Sequence, residues 1–183
     1  MDDNERKRLS DTLKKADEPM IKEIIREAES FLEDQLKAGL AADTRAMTLS
    51  AFMAGIVSIL ITGTGLLVAI HFPIWPHVVS AGVLILALCA ALFSTIHAAR
   101  PTGFYYRGNN PKFWASDIEK GLSLKDALAG QALLYSIGIS KNVEILSENH
   151  RWAQLGLKLA GLGAIVAAFI EGLVLFIKLG HGP

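Results

Sequence analysis

Polar and apolar positions sort this chain into four blocks. Charged and apolar side chains interleave over residues 1–45. From Ala46 to Ala99 there is no Lys, Arg, Asp or Glu in 54 residues. Residues 100–152 are mixed again, and from Ala153 to Leu179 the chain is apolar, with Lys158 and Glu171 standing in it and Lys178 at its end. A bilayer core takes about 20 residues of helix, so the charge-free block is long enough for two crossings. It breaks at His71-Phe-Pro-Ile-Trp-Pro-His77, where Pro73 and Pro76 disfavour helix in the residues before them. The pattern predicts membrane helices over 47–70 and 77–98, joined as a hairpin, with Trp75 and the two histidines at the interface. About 45 hydrophilic residues before the first span argue against a cleavable signal peptide.

The third apolar block is decided by magnitudes. Residues 159–179 hold twelve Leu, Ile, Val or Phe, each favouring insertion by roughly 0.3–0.6 kcal/mol. One central acid costs about 2.5–3.5 kcal/mol. The apolar side matches or exceeds the cost, Lys158 can snorkel at the entry end, and a third span is expected over 153–179. Strand signals are missing, so the fold class is an all-α membrane protein with three spans and a small helical module. That pattern excludes a soluble globular domain, a disordered chain and a disulfide-stapled module, since Cys89 is the sole cysteine.

Charge then suggests an orientation. Residues 1–45 hold nine Lys or Arg, residues 100–158 hold eight, the 71–77 turn holds none and the end of the chain holds only Lys178. The positive-inside rule places 1–45 and 100–152 in the cytoplasm and the 180–183 tail across the membrane. No Lys/Arg stripe points to nucleic acid.

Within the polar pieces, Asp17-Glu18-Pro19 reads as a helix start. Ile21, Ile24, Ile25, Ala28, Phe31, Leu32 and Leu36 follow at helical spacing, and the helix is expected to run on toward the membrane. Ser116 with Glu119 and Ser123 with Asp126 each match a capping box. The helix after Ser123 is expected to continue into the third span. Between Gly103 and Trp114 lies an aromatic, polar loop with Arg107 and Lys112. Its composition suits the membrane interface, and also suits stacking on a base beside a phosphate.

Two features mark the third span. Gly156, Ala160, Ala164, Ala168 and Gly172 recur at every fourth position, a small-residue ridge for close helix approach, either to the chain's own spans or to a second copy. Glu171 lies beside that ridge. Intramembrane acids face a bundle interior or water, so it is a candidate pore residue; a protonated or hydrogen-bonded acid near the far interface is the other reading. No nucleophile–base set or metal-ligand set emerges, and His71 with His77 lacks a third ligand. An enzyme, a cofactor and a bound metal are not expected.

The layout resembles the membrane effectors of Pycsar anti-phage systems over roughly residues 28–178. The likeness lies in Leu40-Ala-Ala-Asp43-Thr-Arg45-Ala46 before the first span and in Ala99-Arg100-Pro101 closing the hairpin. It continues in Gln131-x4-Ser136-Ile137-x3-Lys141 before the last span. Tyr135 departs from the family's Leu. The resemblance implies an inner-membrane effector that responds to cyclic UMP or cyclic CMP made by a partner pyrimidine cyclase. Such an effector assembles as a homo-oligomer in the lipid bilayer and disrupts membrane integrity, arresting growth. It implies Asp43, Arg45, Arg100, Gln131, Ser136 and Lys141 as ligand-binding candidates. Those residue types also serve as snorkelling cations, helix stops and interhelical hydrogen bonds. A constitutive scaffold or small ion-conducting subunit is the alternative.

Overall fold

The computed structural model describes residues 2–69, 75–100 and 102–180. Ile70 of the first expected span, residues 71–74 of the expected turn, Pro101 and residues 181–183 of the tail lie outside the described residues. Trp75, Pro76 and His77 of that turn form the first turn of a helix, where proline is tolerated. Five helices and no strand are found among the described residues: α1 Asp3–Leu13, α2 Glu18–Ala69, α3 Trp75–Ala98, α4 Pro111–Glu119 and α5 Leu124–Gly180. Three of them, α2, α3 and α5, are long and apolar enough to cross a bilayer. The protein is all-α and membrane-associated.

The helix starts follow capping chemistry. Asp17 Oδ1 accepts the Met20 amide at 2.9 Å, and α2 then runs 52 residues without a break. Ser123 Oγ accepts the Asp126 amide at 3.1 Å and donates to its carboxylate at 2.6 Å, opening the 57-residue α5. The Ser116–Glu119 pattern is not a cap. Asn110 caps α4 instead, accepting from the Lys112 amide with Pro111 in the first turn, so Ser116 is interior. Phe113 and Trp114 therefore belong to a helix, and the loop ends at Asn110. Helix α1 was not anticipated, because residues 3–13 offer only Leu9 and Leu13 as large apolar side chains. Asp2 caps it through the Glu5 amide at 2.7 Å.

The chain divides into two compact units, residues 1–41 with 101–147 and residues 42–100 with 148–183. Helices α2 and α5 each contribute to both. In the first unit, Leu13 and Ile21 pack with Ala129 and Ala132, flanked by Leu9, Ile25, Leu128 and Leu133. The apolar stripe read along α2 splits there. At 100° per residue Ile24 and Phe31 lie about 60–140° away from Ile21, Ile25, Leu32 and Leu36. Ile21 and Leu32 are buried while Ile24 and Phe31 are exposed.

In the second unit, Met53, Leu88 and Ala91 form the core, with Ile56, Leu84, Leu159 and Ala160 packed on it. Helices α3 and α5 approach closely. A Cβ added at Gly156 would lie 2.7 Å from Thr95 Cγ2 and 3.0 Å from the Ala91 carbonyl oxygen, and one at Gly163 2.2 Å from Ala87 Cβ. Ala167 is buried too, and its carbonyl accepts from Ser80 Oγ at 3.1 Å. The contact face is thus Gly156, Ala160, Gly163 and Ala167, spaced four, three and four. Ala164, Ala168 and Gly172 are exposed. Steps of four advance about 40° beyond each full turn, so a strict four-residue ridge rotates off any straight neighbour.

Candidate functional site

The first unit holds the polar constellation. Residues 102–110 form a strap fastened to α2 and α5 at successive points. Phe104 lies against Gly39, where a Cβ would come within 2.9 Å of its ring, and Tyr105 lies against Gly138, where a Cβ would come within 3.0 Å. Side chains larger than hydrogen at those two positions would displace the rings. Asn142, fully buried on α5, accepts the Tyr105 amide at 2.9 Å and donates to the Tyr105 carbonyl at 2.8 Å. Its amide also donates to Gln35 Oε1 at 3.1 Å, while Gln35 Nε2 donates to the Ile139 carbonyl at 3.2 Å. One side chain thereby satisfies both backbone polar groups of Tyr105 and ties the strap to both long helices.

Farther along, Arg107 pairs with Glu33 at 2.6 Å. Gly108 takes φ +91°, a conformation that favours glycine. Its amide donates to Tyr135 Oη at 3.0 Å, and that hydroxyl donates to Glu29 Oε1 at 2.8 Å. Asn109 Nδ2 donates to Gln131 Oε1 at 2.6 Å. Beneath these contacts lies a cavity of about 360 Å³ whose walls include Arg6, Leu32, Tyr105, Asn109, Gln131 and Tyr135. A second, of about 400 Å³, lies across the Asn109–Gln131 pair, beside Trp114 and Lys120. The first combines one guanidinium, aromatic rings and two amides. It has the chemistry to hold a small planar anion.

The sequence-derived candidates divide between the units. Gln131 lines both cavities of the first unit. Ser136 is half-buried one residue from Tyr135, and Lys141 is exposed and pairs with Glu144 at 2.9 Å. Asp43, Arg45 and Arg100 belong to the second unit. Asp43 is half-buried, and burial pushes its carboxyl up. Arg45 is exposed, and Arg100 pairs with Glu148 at 2.6 Å. Tyr105 and Asn109 come from the aromatic, polar loop whose composition suits a base beside a phosphate, whereas Arg6 and Asn142 have no sequence signal. A buried asparagine on a long helix looks like any polar position, and Arg6 stands on a helix with few apolar side chains.

Glu171 is not free in the second unit. Its carboxylate meets His77 Nδ1 at 2.6 Å. Near the other end of α3, His97 lies against Trp152 with ring centroids 4.3 Å apart.

Two titrations bound the strap. Burial first, and then the hydrogen bond to Glu29, push the Tyr135 phenol above its usual 10.0. The hydrogen bond from Lys37, followed by the Arg107 charge, holds the Glu33 carboxyl below its usual 4.5. A raised phenol contributes fully below pH 10.0 and is lost as pH rises through the folded value. A lowered carboxyl contributes fully above pH 4.5 and is lost as pH falls through its folded value. Proteolysis of the strap is therefore expected to be slow and flat between those limits and to rise outside them. The acid effect is the smaller, since the Arg107–Glu33 pair is solvent-exposed. In ultraviolet titration one phenol is expected to ionise later than free tyrosine, and Tyr135→Phe is expected to remove that step.

No family model, curated protein or solved structure matches this chain.

Proposed function

We propose that this protein is a signal-gated effector that disrupts the inner membrane when it binds cyclic UMP or cyclic CMP. A partner pyrimidine cyclase supplies the nucleotide on phage infection, and the resulting leak arrests growth. The observation that carries the reading is the strapped cavity of the first unit, whose walls come partly from α5, a helix that also supplies an apolar span. A cyclic pyrimidine nucleotide has one flat ring with amide-like edges and one negative charge. Tyr105 offers a stacking face, Asn109 and Gln131 offer donors and acceptors, and Arg6 offers a cation. The resemblance to Pycsar effectors chooses this ligand among small planar anions.

In this reading the Lys/Arg-rich pieces face the cytoplasm, where the nucleotide is made, and the C-terminus lies across the membrane. Several copies assemble, with Ala164, Ala168 and Gly172 available on the exposed side of α5. Binding shifts the population toward an open arrangement of the spans.

The test is dye entry into cells expressing the chain with and without added cyclic UMP or cyclic CMP. Entry is expected only with nucleotide, and Arg6→Ala with Gln131→Leu is expected to lower the response at least tenfold while membrane insertion is kept. Dye entry that ignores both nucleotides would return the constitutive ion-conducting subunit as the better description.

A further inference from the structure

The α3–α5 contact has an unequal distribution of chemistry. From residue 80 onward the helices meet by small groups: Ser80 Oγ on the Ala167 carbonyl at 3.1 Å, Ala87 on Gly163, and Ala91 and Thr95 on Gly156. At His77, near the start of α3, two ionisable side chains from the apolar segments join, His77 Nδ1 and Glu171 Oε2 at 2.6 Å. Glu171 is the sole acid in the sequence after Glu148. On its other side His77 borders a cavity of about 310 Å³ lined by Leu60, Gly63, Thr64 and Leu67 of α2. Among these lining residues α2 offers neither side chain an ionisable alternative. The two side chains are 38% and 41% exposed, so they can part without opening the core.

We infer that the His77–Glu171 hydrogen bond is an autoinhibitory clasp. It holds the 75–80 end of α3 on α5 and keeps the Glu171 carboxyl occupied. While it is closed, Glu171 Oε2 is committed to His77 rather than to water or a second copy. Once it opens, an unpartnered intramembrane carboxylate is driven toward one or the other unless it takes up a proton. Membrane disruption is thereby linked to a single contact. This inference rests on the effector reading for its consequence, but the clasp itself is measurable without any nucleotide.

The test uses the full chain reconstituted in phosphatidylethanolamine–phosphatidylglycerol vesicles loaded with dye. His77→Leu is expected to release dye without nucleotide at least tenfold faster than the unsubstituted chain. His77→Gln, which keeps a donor for Glu171, is expected to restore tightness. His77→Leu combined with Glu171→Leu is expected to be tight, because the freed acid is gone. In a Cys89→Ser background, disulfide formation between Ser80→Cys and Ala167→Cys is expected to fall at least threefold on adding His77→Leu and to persist with Glu171→Gln. Wild-type leakage in His77→Leu, with a normal response of the unsubstituted chain to cyclic UMP or cyclic CMP, would overturn the clasp and leave the effector reading standing. If neither nucleotide evokes release from the unsubstituted chain, the effector reading falls. Cross-linking then decides the clasp alone, and an unchanged yield in His77→Leu sinks it.

Discussion

Replacing Asn142 by leucine is expected to release the 102–110 strap. The substitution leaves the Tyr105 amide, the Tyr105 carbonyl and Gln35 Oε1 without their partner in a site where Asn142 has no solvent exposure. An orphaned buried polar group costs about 1–3 kcal/mol. Even if water reaches two of the three, the remaining penalty is about 1–3 kcal/mol, which corresponds to roughly fivefold to a hundredfold in an opening equilibrium at about 1.36 kcal/mol per tenfold. Amide exchange of Tyr105 is expected to accelerate by about that factor, and that of Gly108 with it, since both lie on one strap. Asn142→Asp keeps an acceptor for the Tyr105 amide and loses the donor, so its effect should fall between. An unchanged Tyr105 exchange rate in Asn142→Leu would show that the strap is held by its other anchors.

Gly163→Val is expected to separate α3 from α5. The first added carbon would sit 2.2 Å from Ala87 Cβ, and valine's branches cannot rotate that carbon away. Overpacking of this kind typically costs about 1–3 kcal/mol. In lipid the loss is not offset by a hydrophobic drive between helices, because apolar tails solvate the freed surfaces equally well. The expected readout is a severalfold loss of disulfide yield between Ser80→Cys and Ala167→Cys in the Cys89→Ser background, with a lower melting temperature in detergent. Gly161→Val supplies the control. Nothing lies within 4 Å of a Cβ there, so cross-linking should be unchanged. If the two valine variants behave alike, the close approach at Gly163 is not what holds the pair.

These two predictions involve residues of opposite legibility. Gly163 stands one residue from Ala164, which a regular four-residue count selects, and the contact face passes through the former. Helical rotation explains the difference: a straight neighbour is met by alternating steps of four and three, and only the neighbour's position says where the alternation begins. Asn142 had no sequence signature. A polar residue on a long helix is ordinarily solvated, and its burial depends on a strap that reaches it from 37 residues away along the chain.

Glu171 and Gln131 are intermediate cases. That an acid interrupts an apolar block was visible at once, and physics demanded a partner or water for it. Its partner, His77, was read from the sequence as an interface residue, since 94 positions separate the two. Gln131 stood out through a motif, whereas Arg6 came to the same cavity on a helix too poor in apolar side chains to be noticed.

What the sequence by itself determined is whatever depends on local composition and period. The charge-free block, the twelve aliphatic or aromatic residues of the third span, and the absence of strand patterning were enough for an all-α chain with three apolar helices. The caps at Asp17 and Ser123 were equally local, because a capping side chain and its amide lie within three residues. What only the tertiary structure decided is which side chains meet across elements: the strap on Asn142, the cavity under it, and His77 on Glu171. Those contacts depend on rotation and register between helices far apart in the chain, which hydrophobic spacing leaves open.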